Sequence, residues 1–483
     1  MTIAEQRGKI HGVLEGRNGR LFLGDQDGFA LEWFLSPKPF NRPLLEVWKR
    51  TLRRRARELR RRGIPYAFYL APDAHSVYPE DLPEDCERSG TGTPGEQFLA
   101  TMREIAGIEF IDPRPDLLAA KGALEIYRKT DSHWTQYGSF IAYKTLCRAL
   151  RSRVALAELE ARDVAFEYRH LYGDLGVLVT PERSEDAPRA IVSRNPYDRL
   201  LDNDGFDRTS AFETFCPGAP PTRLLLLRDS FMTDQFEYVG RTFGHVLCAG
   251  TTTRLFLDEV DRWKPDIVMS HVGERRLYSY EVDHAQDTFE DVFRTDFASD
   301  RGRIAGRAML LLSARRAPEA LPLVAPFEED SALRPDHAYV AAQVLHANGL
   351  EQRAFGAIAL ALEHFPARPS YRCLEAKIHF GLGNWDLACE SIARALEVAS
   401  YNGHYHQVFA YLLTERGEMA TARQYLERVL EEIDDFAPLW QLQTIACNAV
   451  GDKGSAYEAI AQALTLDSSE PVFHALASET WRR

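Results

Sequence analysis

The 483-residue sequence contains no apolar run approaching the roughly 18 residues that a membrane span needs. Its opening stretch, MTIAEQRGKIHGVLEG, also lacks the apolar core of a secretory leader. These two absences set the expectation of a chain that stays in the cytoplasm and inserts into no membrane. Cysteine is scarce. The seven residues, at 86, 147, 216, 248, 373, 389 and 447, form no CxxC pair, which argues against a disulfide framework and fits a compartment that keeps thiols reduced. Positive charge is also in deficit, with 58 Lys and Arg against 71 Asp and Glu for a net charge of −13. No nucleic-acid partner is expected of such a chain as a whole. Metal-ligand spacing is equally thin. One Asp-x-His triplet with His75 upstream does not make a ligand set, so neither a metal nor a cofactor is expected.

What the sequence does contain is organised around Leu124 to Leu146, LEIYRKTDSHWTQYGSFIAYKTL. Asp131 stands two residues before His133, where an extended run gives way to a helical pattern. Residues i and i+2 of an extended segment face the same way, so one carboxylate can hold one imidazole. That contact fixes the tautomer and frees the other ring nitrogen to act as a base. A nucleophile for this base is offered by TRLLLLRDSFMTDQF, in which the apolar strand Leu224 to Leu227 ends in Arg228, Asp229 and Ser230. Ser230 then lies beside helix N-terminal amides suited to an oxyanion. His271 is a second candidate base and Asn195 a candidate oxyanion donor, although core or rim packing accounts for His271, and an ordinary turn for Asn195, more readily.

The segments TDSHWTQYGSFIAY and LLRDSF together resemble those of the SGNH-hydrolase-like alginate O-acetyltransferases of the AlgX and AlgJ type. The resemblance runs over roughly residues 8 to 280. It implies Ser230 as nucleophile, His133 as base and Asp131 as its orienting partner. It further implies an acetyl donor, a carbohydrate acceptor and an acyl-enzyme between them. Arg228 stands where the family has glycine. The loop PDAHSVYPEDLP is similar to a family segment at a strand end, where open α/β sheets bind ligands, so His75, Tyr78 and Arg228 are expected to contact substrate.

Along the chain, IHGVLEGRNGRLFLG reads as a hairpin about Asn18 and Gly19. Pro43 to Gly63 reads as a helix whose arginines 50, 53, 54, 57, 60 and 61 form a solvated face. Strand and helix signals then alternate, which implies a mostly parallel sheet in a three-layer SGNH-like α/β domain. Residues 151 to 222 read as an insertion with a hairpin at YRHLYGDLGVLV. In the last third, Gly349, Gly383, Gly417 and Gly451 recur every 34 residues, as do Ala354, Ala388, Ala422 and Ala456. That is the tetratricopeptide (TPR) period. The expected plan is an acyltransferase domain over 1–300, a linker over 301–334 and an α-solenoid of TPR repeats over 335–483, binding a protein partner. Trp385, Tyr401 and Tyr405 would instead form a platform if the repeats gripped a polysaccharide. An esterase or deacetylase using the same residues, and an inactive scaffold carried by the repeats, are the alternatives to acetyl transfer.

Overall fold

The computed structural model describes residues 12–24, 34, 42–83, 86, 92–201, 211–251, 253–278, 283–293, 299–327 and 333–482. The chain divides into two compact units. One holds Met1–Leu255 with Trp263–Glu281, the other Phe256–Arg262 with Val282–Arg483.

In the first unit, β1 (Val13–Glu15) and β2 (Leu21–Leu23) pair antiparallel about Asn18 and Gly19, both of which adopt positive φ. Helix α1 (Arg42–Arg61) follows the three-and-four spacing of its apolar residues, burying Trp48, Leu52, Ala56 and Leu59. Its arginines are not all solvated, because Arg54 is buried, and so is Arg55, which donates to the Thr253 carbonyl at 2.6 Å. The remaining strands are β3 (Tyr66–Ala71), β4 (Ile108–Ile111), β5 (Val164–Tyr172), β6 (Ser184–Val192), β7 (Asp198–Leu201), β8 (Phe212–Phe215), β9 (Arg223–Arg228), β10 (His245–Thr251) and β11 (Ile267–Gly273). A seven-stranded sheet runs in the order β4-β3-β11-β9-β10-β8-β7. Its first five strands are parallel, and at one edge β8 pairs antiparallel with β10 and β7 antiparallel with β8. Every residue of β3 and β11 is buried, as their near-continuous apolar sequences require of strands covered on both faces.

Two local expectations change. The insertion hairpin is longer than the sequence suggested, since the strand that pairs with β5 is β6 rather than the GVLV segment. Residues 176–178 form a short 3₁₀ turn instead, and the Gly176 amide donates to the Thr130 carbonyl at 2.8 Å. The stretch 202–210 lies outside the described residues.

The second unit is helical throughout its later part. Pairs α7/α8 (Pro335–Ala347, Glu351–His364), α9/α10 (Pro369–Gly381, Trp385–Val398), α11/α12 (Gly403–Glu415, Met419–Glu432) and α13/α14 (Ala437–Val450, Lys453–Leu466) precede α15 (Pro471–Arg482). Gly349, Gly383, Gly417 and Gly451 sit at φ between +71° and +82° in the turns within the pairs, where a side chain would be strained. The four ladder alanines are fully buried where the helices approach.

The expected linker over 301–334 is overturned. Two further helices, α5 (Asp300–Ser313) and α6 (Ala317–Val324), precede α7 and bury Ala305, Ala308, Ala320 and Val324 in the same apolar cluster as α7 and α8. Counting back 34 residues from Gly349 and Ala354 reaches Arg315, at φ 57°, and Ala320, fully buried. The pair is a fifth repeat in which arginine takes the turn position held elsewhere by glycine.

Candidate active site

The segment before α3 (Gln136–Leu150) is held in place by a buried arginine. Arg20, in the β1–β2 hairpin, pairs with Asp81 at 2.8 Å and donates to the carbonyls of Tyr127 and Arg128 at 3.1 Å. A bridge between Tyr127 and Trp134 closes the loop 128–133, and Thr135 caps the helix by accepting from the Gly138 amide. Gly138 is required there, because a Cβ would lie 2.2 Å from the Ile126 carbonyl oxygen.

Asp131 and His133 meet through a turn rather than through an extended strand. Asp131 Oδ1 accepts the His133 backbone amide at 2.9 Å and its ring Nδ1–H at 2.8 Å. An aspartate that bonds the amide two residues on makes its own turn, and here that turn aims the ring. With Nδ1 donating, Nε2 accepts from the Ser230 hydroxyl at 2.8 Å. The structure thus brings Asp131, His133 and Ser230 into one chain of hydrogen bonds.

Ser230 leaves the end of β9 two residues ahead of helix α4 (Met232–Val239). Its turn is fixed by Asp229, which accepts the amides of Phe231 at 3.1 Å and of Gly273, at the end of β11. The Trp134 indole ties the two halves together by donating to the Phe231 carbonyl at 3.0 Å. Burial alone would raise the Asp131 pKa, but the His133 ring and the Arg128 guanidinium outweigh it and hold the carboxyl below the usual carboxylate range. Arg128 is anchored in turn by both oxygens of Asp234 at 2.9 Å.

With this geometry in view, residues 13–240 match the family model described as "SGNH hydrolase-like domain, acetyltransferase AlgX". The chain is 29% identical over 128 residues to the probable alginate O-acetylase AlgJ of Pseudomonas aeruginosa, a stretch covering 26% of this chain and 30% of that one. It therefore spans under a third of the length of that curated relative. Among solved structures it is similar to the O-acetyltransferase domain of Pseudomonas putida AlgJ, at 19% identity and TM-score 0.38 over 56% of this chain and 94% of the other. Bacillus cereus PatB1 is similar at 14% identity and TM-score 0.44, over 56% and 99%. The repeats are similar to a thermophilic TPR protein of Thermus thermophilus, at 15% identity and TM-score 0.34, over 38% and 100%.

Around Asp131, His133 and Ser230 stand further groups that the sequence did not mark. Asp174, at the β5–β6 turn, accepts the Ser132 amide and hydroxyl, each at 2.6 Å, and its own amide donates to Asp131 at 3.2 Å. Arg275 donates to the Ser132 hydroxyl at 3.0 Å and carbonyl at 2.9 Å, while its Nε donates to the buried Asp73 at 2.7 Å. Arg275 lies in the ERRL stretch just past β11, beyond the residues matched by the family model. Asp131, His133 and Asp174 bring one possible metal-ligand atom each within 4.8 Å of one another, but the hydrogen bonds just described already engage all three side chains.

The three residues expected to contact substrate are each engaged by the protein itself. His75 is buried between the rings of Phe22 and Phe34 and hydrogen-bonds the Leu23 carbonyl at 3.0 Å, because the β1–β2 hairpin packs onto the loop after β3. Tyr78 accepts the Ile126 amide at 3.2 Å and lies under the Arg20 guanidinium, so it braces the loop wall. Arg228 donates to the Asp229 carbonyl at 3.3 Å and the Thr233 hydroxyl at 3.2 Å, stitching the turn that glycine would otherwise ease. His271 lies within β11, not after it, fully buried against Tyr69 and Trp134. Asn195 is a turn residue at φ 51° that donates to the Arg241 carbonyl.

Proposed function

We propose that this chain is a serine-dependent O-acyltransferase that moves an acetyl group onto a carbohydrate hydroxyl. The observation that carries the reading is His133, with Nδ1 on Asp131 at 2.8 Å and Nε2 on Ser230 at 2.8 Å. A serine hydroxyl is a weak nucleophile until a base accepts its proton. Ser230 Oγ attacks the carbonyl of the acetyl donor and its proton passes to His133 Nε2. Collapse of the tetrahedral intermediate expels the donor's leaving group, which takes that proton and leaves acetyl-Ser230. The sugar hydroxyl repeats the sequence on the acetyl-serine, giving up its proton to His133 and restoring Ser230. Asp131 stays ionised throughout and stabilises the imidazolium. The similarity to alginate O-acetylase AlgJ supports acetyl as the group and a polysaccharide as the acceptor.

Water in place of the sugar would give an esterase with the same residues. The discriminating experiment incubates the full chain with an acetyl donor and looks for acetyl-Ser230 by peptide mass spectrometry. Sugar or polymer is then added and the acetate is followed into product. Acetylation of Ser230 followed by transfer to polymer supports the reading. Release as free acetate alone favours the esterase, and an unlabelled Ser230 leaves only a scaffold. The repeats are assigned to a protein partner, on the extended surface that stacked helix pairs provide. Tyr405 is buried, which removes one of the three aromatics a polysaccharide platform would need.

A further inference from the structure

The first helices of the pairs, α7, α9, α11 and α13, follow one another along one side of the repeat unit, the side on which such stacks hold extended segments. Residues 283–291 of the same chain run across this face, irregular over 283–288 and then entering a short helix, Phe289–Phe293. The Gly403 amide donates to His284 Nδ1 at 2.9 Å, and His284 Nε2 donates to the buried Asp435 at 2.9 Å. Main-chain carbonyls are read next: Asn402 donates to Ala285 O and the Tyr405 hydroxyl to Gln286 O, both at 2.8 Å. Lys377 then holds the Gln286 side chain at 2.7 Å, and Arg368 pairs with Asp291 at 2.6 Å. Phe289 is fully buried, its ring set edge-on to Phe256 and its amide donating to Asp258.

We infer that the inner face of the repeats is a peptide groove for an acidic segment, and that its occupant is this chain's own residues 283–291. The inference deepens the partner reading of the repeats and does not depend on the chemistry at Ser230. Two physical points carry it. The groove reads backbone carbonyls at 285 and 286 and a carboxylate at 291, as a peptide site does, and not merely side chains as in ordinary core packing. Asp435, Asn402 and Tyr405 are also buried with the segment in place and each bonds to it, so these groove groups exchange water for the segment and none of the three is left unpaired. Because the segment is tethered, it acts at an effective concentration on the order of millimolar, and a free peptide competes poorly with it. A partner protein must then use other surfaces of the repeats or displace this strap.

The test uses the full chain, with hydrogen exchange read at residues 283–291 and a labelled synthetic peptide of residues 282–293 as probe. The strap of the wild-type chain should exchange at least about tenfold more slowly than that of a His284→Ala/Asp291→Ala variant, whose groove is intact. The added peptide should bind the variant and not the wild type. Exchange of the α9 and α11 amides at wild-type rates certifies that the variant is folded. Should it not, Asn402→Ala alone is read for strap exchange in the same way. Wild-type strap exchange as fast as in the free peptide, equal peptide capture by wild type and variant, or no capture by a folded variant would each overturn the inference.

Discussion

Each nitrogen of the His133 ring is engaged by a different element, Nδ1 by its own turn and Nε2 by the residue that ends β9. Replacing Ser230 or His133 by Ala should therefore abolish acetyl-enzyme, and Asp131→Asn should slow its formation by up to about 10⁴-fold by favouring the wrong tautomer. Single-turnover acetylation followed by mass spectrometry checks all three, and normal acetylation in Asp131→Asn would remove Asp131 from the relay. His75 gives a separate test. Burial lowers its pKa to about 4, whereas an unfolded histidine titrates near 6.5. Between those values the unfolded chain holds a proton that the folded chain rejects, so stability is full above pH ~6.5 and declines towards pH ~4, by about 3 kcal/mol in total. His75→Gln should narrow the gap in urea midpoint between neutral and acid pH, and an unchanged gap would show that His75 is not its source. The triad residues were legible because each lies in a short local pattern. Asp174 and Arg275 were not, since they reach Ser132 from 42 and 143 residues away and nothing local marks them.

At the level of elements, the strands were legible from unbroken apolar runs such as YAFYLA, and the helix pairs from a period that glycine makes visible. The first pair escaped because Arg315 replaces the glycine in its turn while keeping the left-handed φ of 57°. A non-glycine residue in that region costs roughly 1–2 kcal/mol. Arg315→Gly should therefore stabilise the repeat unit by about 1 kcal/mol, read as a higher urea midpoint of the helical transition. A lower midpoint would mean that the Arg315 side chain contributes more than its backbone costs. The 3₁₀ turn after β11 offers a second test through Arg275, which grips both the hydroxyl and the carbonyl of Ser132 next to His133. Arg275→Ala should lower kcat by up to about 10²-fold through misplacement of His133, with KM less affected. A change confined to KM would place Arg275 on substrate instead.

For the molecule as a whole, the boundary between units falls well before the residue 300 expected from the strand-and-helix alternation and the 34-residue period, and residues 301–327 of the expected linker are folded. Limited proteolysis should cut residues 300–324 no faster than residues 345–470, and preferential cleavage in the former would restore the linker. The strap has a consequence for how the chain is made. His284 leaves the ribosome 151 residues ahead of its partner Asp435. At about 5–20 residues per second it waits roughly eight to thirty seconds for the groove to be completed around it. During that interval the emerging helix pairs have no finished inner face and the strap has no shelter. Its Asp, His, Gln and Thr residues suit the wait, because they are well hydrated in water, and Phe289 is the one large apolar side chain left without cover. Closure over the strap is thus timed by synthesis of Asp435, in the turn between α12 and α13.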